Sequence, residues 1–417
     1  MGVHALGSKV KCYSNNAELV KYPKLISPIV LDGQKIEFST LAEHLGIVRS
    51  SSPGNMPNIV ERLSAYESKL FSVLPAGLAL HHHANPAACL RVEKLYALPV
   101  LLSGLSALVL SQHETGIINS FHKNTLSRLM KLYDRTPDSA VYFLAGSLPG
   151  SALLHLRQLS VFGMICHLEG NILNSLAMDI LIEAKPSAKS WFQEIRDICV
   201  KYDLPHPITL LENPIKKEAF MKFCKLKVHE YWHLKLSKAA NLPSLQYLQP
   251  HFLSLSLPHP IWTSLDGNPY QAKAARIQSL FLTGRYRSER LCRFWSSNRE
   301  GYCLLSTCNN EQLYEDIEHI LLGCRGLTDE RRRLKLFTTE YVSDKPVLKT
   351  IVDAYLYSDA EDDRMQFLLD CSVLPMVITP YQEYGQIVHN QLFKISRTWC
   401  RSLHVARMKA LGRFTKL

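Results

Sequence analysis

The chain has 417 residues, of which 47% are hydrophobic and 20% charged, so it is a globular protein and not a disordered one, long enough for about two or three domains. Its net charge of +11 and pI near 9.0 favour a polyanionic partner, nucleic acid or a membrane surface, and say nothing about fold. The eleven cysteines follow no disulfide framework and read as reduced, mostly buried thiols of an intracellular protein, in nucleus or cytoplasm.

Met1 to Val10 has no apolar core, so no signal peptide is expected. Ile26 to Leu31 and Lys35 to Phe38 flank Asp32-Gly33, which predicts a hairpin. A further strand is expected over His44 to Val48, ended by Pro53-Gly54-Asn55. Helix signals then dominate. Ile59, Leu63, Tyr66, Leu70 and Val73 recur at helical spacing. Asn85-Pro86 opens a long apolar segment reaching Leu110. Its stretch from Leu95 to Ser111 is uncharged but short for a membrane span and contains Pro99 and Gly104, so a buried core helix is expected and no membrane partner. Ser111 and Glu114 form a capping box for a helix through Phe121, Leu126 and Met130.

Pro149 opens a Leu-rich helix, and Ser187 is the expected cap of one carrying Trp191, Ile195, Ile198 and Tyr202. Asn213-Pro214 starts a basic helix with Lys216, Lys217, Lys222, Lys225 and Lys227, whose apolar face is expected to be Phe220, Phe223 and Tyr231. Pro243, Pro250, Pro258 and Pro260 mark a linker or a packed irregular segment. Asn268-Pro269 opens the next helix. The run His81-His82-His83 reads as a solvated loop.

The most informative segment runs from Cys303 to Cys324. Cys303, Cys308, His319 and Cys324 are separated by four, ten and four residues, the ligand types and short spacings of a tetrahedral structural Zn²⁺ site. Asn309 to Glu318 is polar, as a loop is. Asp316 to Leu322 looks helical, carrying His319 and delivering Cys324 after Gly323. Cys292 is the substitute if one of the four is not a ligand.

Charge is uneven along the chain. Gln271 to Arg299 contains Lys273, Arg276, Arg285, Arg287, Arg290, Arg293 and Arg299 against Glu289 alone, with Tyr286 and Trp295 interleaved. Arginine beside aromatics suits phosphate contact and base stacking. The candidate nucleic-acid-binding residues are therefore Lys273, Arg276, Arg285, Tyr286, Arg287, Arg290, Arg293 and Trp295, and the expected partner is RNA or DNA. Gln391 to Leu417 adds seven basic residues and no acid. No catalytic constellation is legible. There is no Gly-x4-Gly-Lys-Ser/Thr loop and no His-Glu-x-x-His, and the adjacent acids Asp362-Asp363 sit in a charged run without a strand pattern.

The pattern Cys303, Cys308, Glu318-His319-Ile-Leu-Leu-Gly-Cys324, followed by Asp329-Glu-Arg-Arg-Arg333, resembles the zinc-binding segment after the polymerase in non-LTR retrotransposon reverse transcriptases. Ala42 to Ile47 resembles the strand region after that palm's catalytic turn, Pro99 to Leu105 the segment leading into the thumb, and Phe121 to Leu126 and Leu148 to Arg157 the helices that follow. The chain departs from the family at Ser103, where Tyr is common, and in its wider Cys spacing. The family's catalytic Asp pair and fingers would lie before Met1. The resemblance implies a mainly α chain with a small N-terminal β element, divided into 1–55 (palm-like strands), 56–185 (thumb-like helices), 186–265 (basic connection with a Pro-rich linker), 266–345 (basic helix and zinc segment) and 346–417 (helical basic tail). Its implied function is a non-catalytic C-terminal part of a reverse transcriptase that binds RNA or DNA. The alternatives are the downstream half of an active RNA-directed DNA polymerase, partnered by an upstream polymerase segment, and a helical protein-interaction scaffold.

Overall fold

The computed structural model describes residues 30–31, 34–35, 41–44, 47–50, 54–73, 84–168, 172–183, 190–309, 311–378 and 385–413. Helices dominate, after a small N-terminal β element. Strand β1 (Val30–Leu31) pairs antiparallel with β2 (Gln34–Lys35), the pairing the hairpin signal calls for; the turn residues 32–33 lie outside the described residues. Strand β3 (Leu41–His44) pairs with β4 (Ile47–Ser50), placing His44 opposite Ile47. The single strand expected over His44 to Val48 is therefore two, because Gly46 is a second hairpin signal hidden within an apolar run. Residues 81–83 and Ser187 lie outside the described residues.

The chain forms two compact units. The first comprises Met1–Ser72, Glu93–His122 and Pro149–Val228, and the second Val73–Val92, Lys123–Leu148 and His229–Leu417. In the first unit, Asn58 fixes the strands to helix Met56–Val73: its Oδ1 accepts from Val48 N and its Nδ2 donates to Val48 O, both at 2.7 Å. The capping box is present, Ser111 N donating to Glu114 Oε2 at 2.7 Å. The apolar segment is not one helix to Leu110. A π-turn at Glu93–Ala97, a short helix Leu98–Leu102 and a 3₁₀ turn at Leu105–Ala107 share it, because Pro99 has no N–H for the ladder at the start of the short helix and Gly104, at φ +76°, follows its end. Leu98, Leu101, Leu102, Leu105 and Leu108 are nonetheless buried, as a core segment demands. Ser190, not Ser187, caps helix Trp191–Lys201, accepting from Gln193 N at 3.1 Å.

The basic helix spans Lys217–Ala239. Its buried stripe is Phe220, Cys224, Val228, Trp232 and Leu236, a strict i, i+4 row. The expected Phe223 and Tyr231 are only half-buried because they sit one position off that row.

In the second unit, helix Pro269–Leu282, capped by Asn268, packs against the C-terminal helix Gly385–Ala410 and against Glu361–Leu369. The buried Gln278 ties the three together, donating to Leu368 O at 2.9 Å and Ser396 Oγ at 2.9 Å. The Pro-rich stretch is a packed irregular segment: Leu245, Leu248, Leu253, Leu255, Ile261 and Trp262 are buried. It docks on Gly146, where a Cβ would lie 1.9 Å from Leu257 O. His259, fully buried, meets Asp370 Oδ2 at 3.1 Å. Asp362 and Asp363 open helix Glu361–Leu369 on its first turn. The described cysteines are all free and, except for Cys292, buried. No single helix among the described residues is long and apolar enough to cross a membrane.

Candidate metal centre and basic cleft

The segment 301–327 wraps its four sulfur and nitrogen donors around one point. Tyr302 and Tyr314 form an isolated antiparallel bridge, and Cys303 N donates to Leu313 O at 2.8 Å, which brings the start of the loop back on itself. Helix Ser306–Asn309 presents Cys308. Asp316 caps the following turn by accepting from His319 N at 2.8 Å. The expected helix is there, with a π-turn at His319–Gly323 that brings Cys324 N to His319 O. Gly326 allows the close return: a Cβ there would lie 2.8 Å from Leu305 Cδ1.

The donor atoms of Cys303, Cys308, His319 and Cys324 all lie within 4.8 Å of one another. Cys324 Sγ is 3.8 Å from both Cys303 Sγ and Cys308 Sγ. That is nearly twice the ~2.05 Å of a disulfide, and each thiol is buried. His319 Nε2 is buried with no hydrogen-bond partner. An orphaned imidazole nitrogen among three thiols is costly unless a metal satisfies it, so the residues fit a bound metal ion. The shared hydrogen bond with Cys303 holds Cys324 below the ordinary thiol range, against burial, and pushes Cys303 up. Arg331 donates to Cys324 O, placing a cation behind the thiols. Cys292, the alternative ligand, is outside this group because helix Glu289–Arg293 turns it into a cleft instead.

A buried ionic network anchors the segment. Glu315, 1% exposed, accepts from Arg407 Nε at 2.8 Å and Nη2 at 2.6 Å, and also from Glu289 N at 2.7 Å. Glu289, 2% exposed, accepts from Arg299 Nη1 at 2.9 Å and Arg413 Nη1 at 3.1 Å. Burial works against the charge of Arg407, but the bonds to Glu315 prevail and hold its proton tighter than usual. The basic C-terminal stretch is thus partly internal. Arg397 is buried too, donating to Ser264 Oγ at 2.7 Å.

The candidate nucleic-acid residues separate into groups. Lys273, Arg276, Arg287 and Trp295 line a cleft of about 580 Å³, joined by Lys131 and Tyr133. Tyr286 borders the same cleft but is 4% exposed, stacked on Phe281 with centroids 3.9 Å apart, its hydroxyl 2.8 Å from His404 Nδ1. Both its faces and its polar handle are occupied, so the expectation that it stacks on a base is corrected. Arg290 lies outside the cleft, paired with Asp316 at 2.8 Å. Arg293 is exposed. Arg285 is half-buried and away from the cleft, with its Nε buried and unpartnered.

Lys131, Tyr133 and the Glu289–Glu315–Arg407 network carried no sequence signal, because they meet across separations such as the 92 residues between Glu315 and Arg407. No family model matches the chain, and no curated protein or solved structure matches it either.

Proposed function

We propose that this chain is a zinc-organised nucleic-acid-binding protein, akin to the region that follows the polymerase in reverse transcriptases of the non-LTR retrotransposon kind. For zinc, the support is metric. Zn–S bonds of about 2.3 Å in a tetrahedron require an Sγ–Sγ edge of about 3.8 Å, and both edges at Cys324 measure 3.8 Å. Cys303, Cys308, His319 and Cys324 would fill all four positions, so the ion supplies a cross-link between loop and turn and leaves no site for substrate. The kinship rests on the motif residues from Cys303 to Arg333 and on the thumb-like stretches before them.

The observation that carries the binding role is the charge of the cleft. Among the described residues no carboxylate pairs with Lys131, Lys273, Arg276 or Arg287. Unneutralised cations converging on one surface are what phosphates bind. In the acidic metal segment Glu315 pairs with Arg407, Asp316 with Arg290 and Glu311 with Arg325. A salt titration tests the role. Replacing Lys273 and Arg287 by Gln should weaken binding to unrelated sequences alike and reduce the slope of log K against log salt by roughly 1.4 to 1.8. An unchanged slope in a variant that keeps its metal would refute contact at this surface.

A further inference from the structure

We infer that the cleft takes an unpaired nucleotide of a single strand, with its base against Trp295 and its phosphates on Lys131, Lys273, Arg276 and Arg287. This rests on the nucleic-acid role proposed above and narrows it to a form of strand.

The four cations reach one volume from three segments. Lys131 ends helix Gln112–Met130 with φ +55°, a left-handed conformation that is rare outside glycine and turns the chain sharply. Its carbonyl accepts from Arg276 Nε at 2.9 Å, which fixes that guanidinium at the Lys131 backbone. Lys273 and Arg276 are one helical turn apart on Pro269–Leu282. Arg287 lies over the Tyr133 ring at 4.9 Å, so its plane is set before any ligand arrives. Burial first, and then the nearness of Arg276 and Lys273, lower the pKa of Lys131. Like charges held together against their own repulsion, with no internal acid to relieve them, are stabilised by an anion from outside.

The shape says which anion. A cleft of about 580 Å³ has the size of one that encloses a ligand the size of a nucleotide. Its floor is apolar, with Met130, Ile277 and Leu280, and Trp295 stands at it 44% exposed. An aromatic face with cations around it binds any base by stacking while the phosphates take the charge. A duplex keeps its bases stacked inside, so only an unpaired base can enter. Among the described residues no carboxylate lines the cleft, and Glu289 and Glu315, which hold its lining residues Arg299, Arg413 and Arg407, are occupied with them.

The test is fluorescence anisotropy of the full chain with a short labelled single strand, the same sequence as a duplex, and a free nucleoside triphosphate as competitor. The single strand should bind at least about ten-fold tighter than the duplex, and Trp295→Ala should remove roughly ten-fold or more of that affinity while barely changing the duplex. Trp295→Phe should restore most of the loss, since a phenyl face also stacks, which separates stacking from misfolding. Lys349→Gln, an exposed cation that does not line the cleft, should leave the preference unchanged. Equal, salt-dependent binding of strand and duplex, indifferent to Trp295, would overturn this inference and leave the general nucleic-acid role standing. Binding of neither would remove both. Competition by the free triphosphate as strong as by the strand would assign the cleft to a free nucleotide and overturn the strand.

Discussion

The Glu315–Arg407 pair offers the sharpest perturbation. Both side chains are 3% exposed or less, and the bond is bidentate. Removing one partner of a buried pair typically costs about 3–5 kcal/mol, because the survivor is left charged in a poor solvent. Glu315→Gln leaves Arg407 only the distant Glu289 carboxylate, at 4.0 Å, and Arg407→Met leaves Glu315 facing a backbone N–H alone. The double variant Glu315→Gln with Arg407→Met strands no charge. The glutamine oxygen still accepts from Glu289 N, so its cost should be that of a weakened hydrogen bond, about 1–3 kcal/mol. The two single losses therefore sum to about 6–10 kcal/mol, and the double should fall well below that sum. Hydrogen exchange of the amides of Glu289 and Arg290, which donate to Glu315 Oε2 and Glu315 O, reads the effect locally. Metal content, followed in parallel, separates loss of the pair from loss of the ion. Additive losses, or single variants costing under about 1 kcal/mol, would refute the idea that this pair anchors the segment.

Two further outcomes are expected. Elemental analysis should find one zinc per chain, lost in Cys324→Ser with His319→Ala and retained in Cys292→Ser; zinc unchanged by the first variant would contradict the ligand set. Stability should decline as pH falls from about 6.5 towards 4. Burial first, then a nearby cation, lowers His155 to about 3 and His404 to about 4. Between those values and 6.5 the unfolded chain binds protons that the folded chain refuses, so stability is whole above pH 6.5 and lost below it, by about 1 kcal/mol per pH unit for each group. Urea unfolding from pH 7 to 4.5 measures this, and an equally steep decline in His155→Asn with His404→Asn would refute it.

What was legible in the sequence was local. The ligand spacing from Cys303 to Cys324, the Ser111–Glu114 box and the Asn268 cap each act over a few residues, where the backbone leaves little choice. Boundaries decided by packing were harder. The face of helix Lys217–Ala239 is set by what Phe220 and Cys224 meet, not by which aromatic lies nearest in sequence. Charge misled most. Arg397 and Arg407 look from sequence like tail residues free to meet a polyanion, and each is spent inside the fold on Ser264 and Glu315. Lys131, by contrast, looks like an ordinary helix end and completes the cleft. Only the tertiary fold tells a cation with an internal partner from one without.

The metal loop and its ionic anchor also differ in when they can form. All four ligands lie between Cys303 and Cys324, a short loop whose closure is fast and local. The carboxylate of Glu315 has to wait for Arg407, 92 residues further along. On a growing chain the loop is complete, and able to hold its ion, well before the helix that neutralises Glu315 has been made. On the proposed metal reading, the supply of metal during synthesis would set the order of events. With an ion bound, Gly385–Ala410 would dock onto a finished surface; without one, the helix and the loop would have to find each other while both are still unformed.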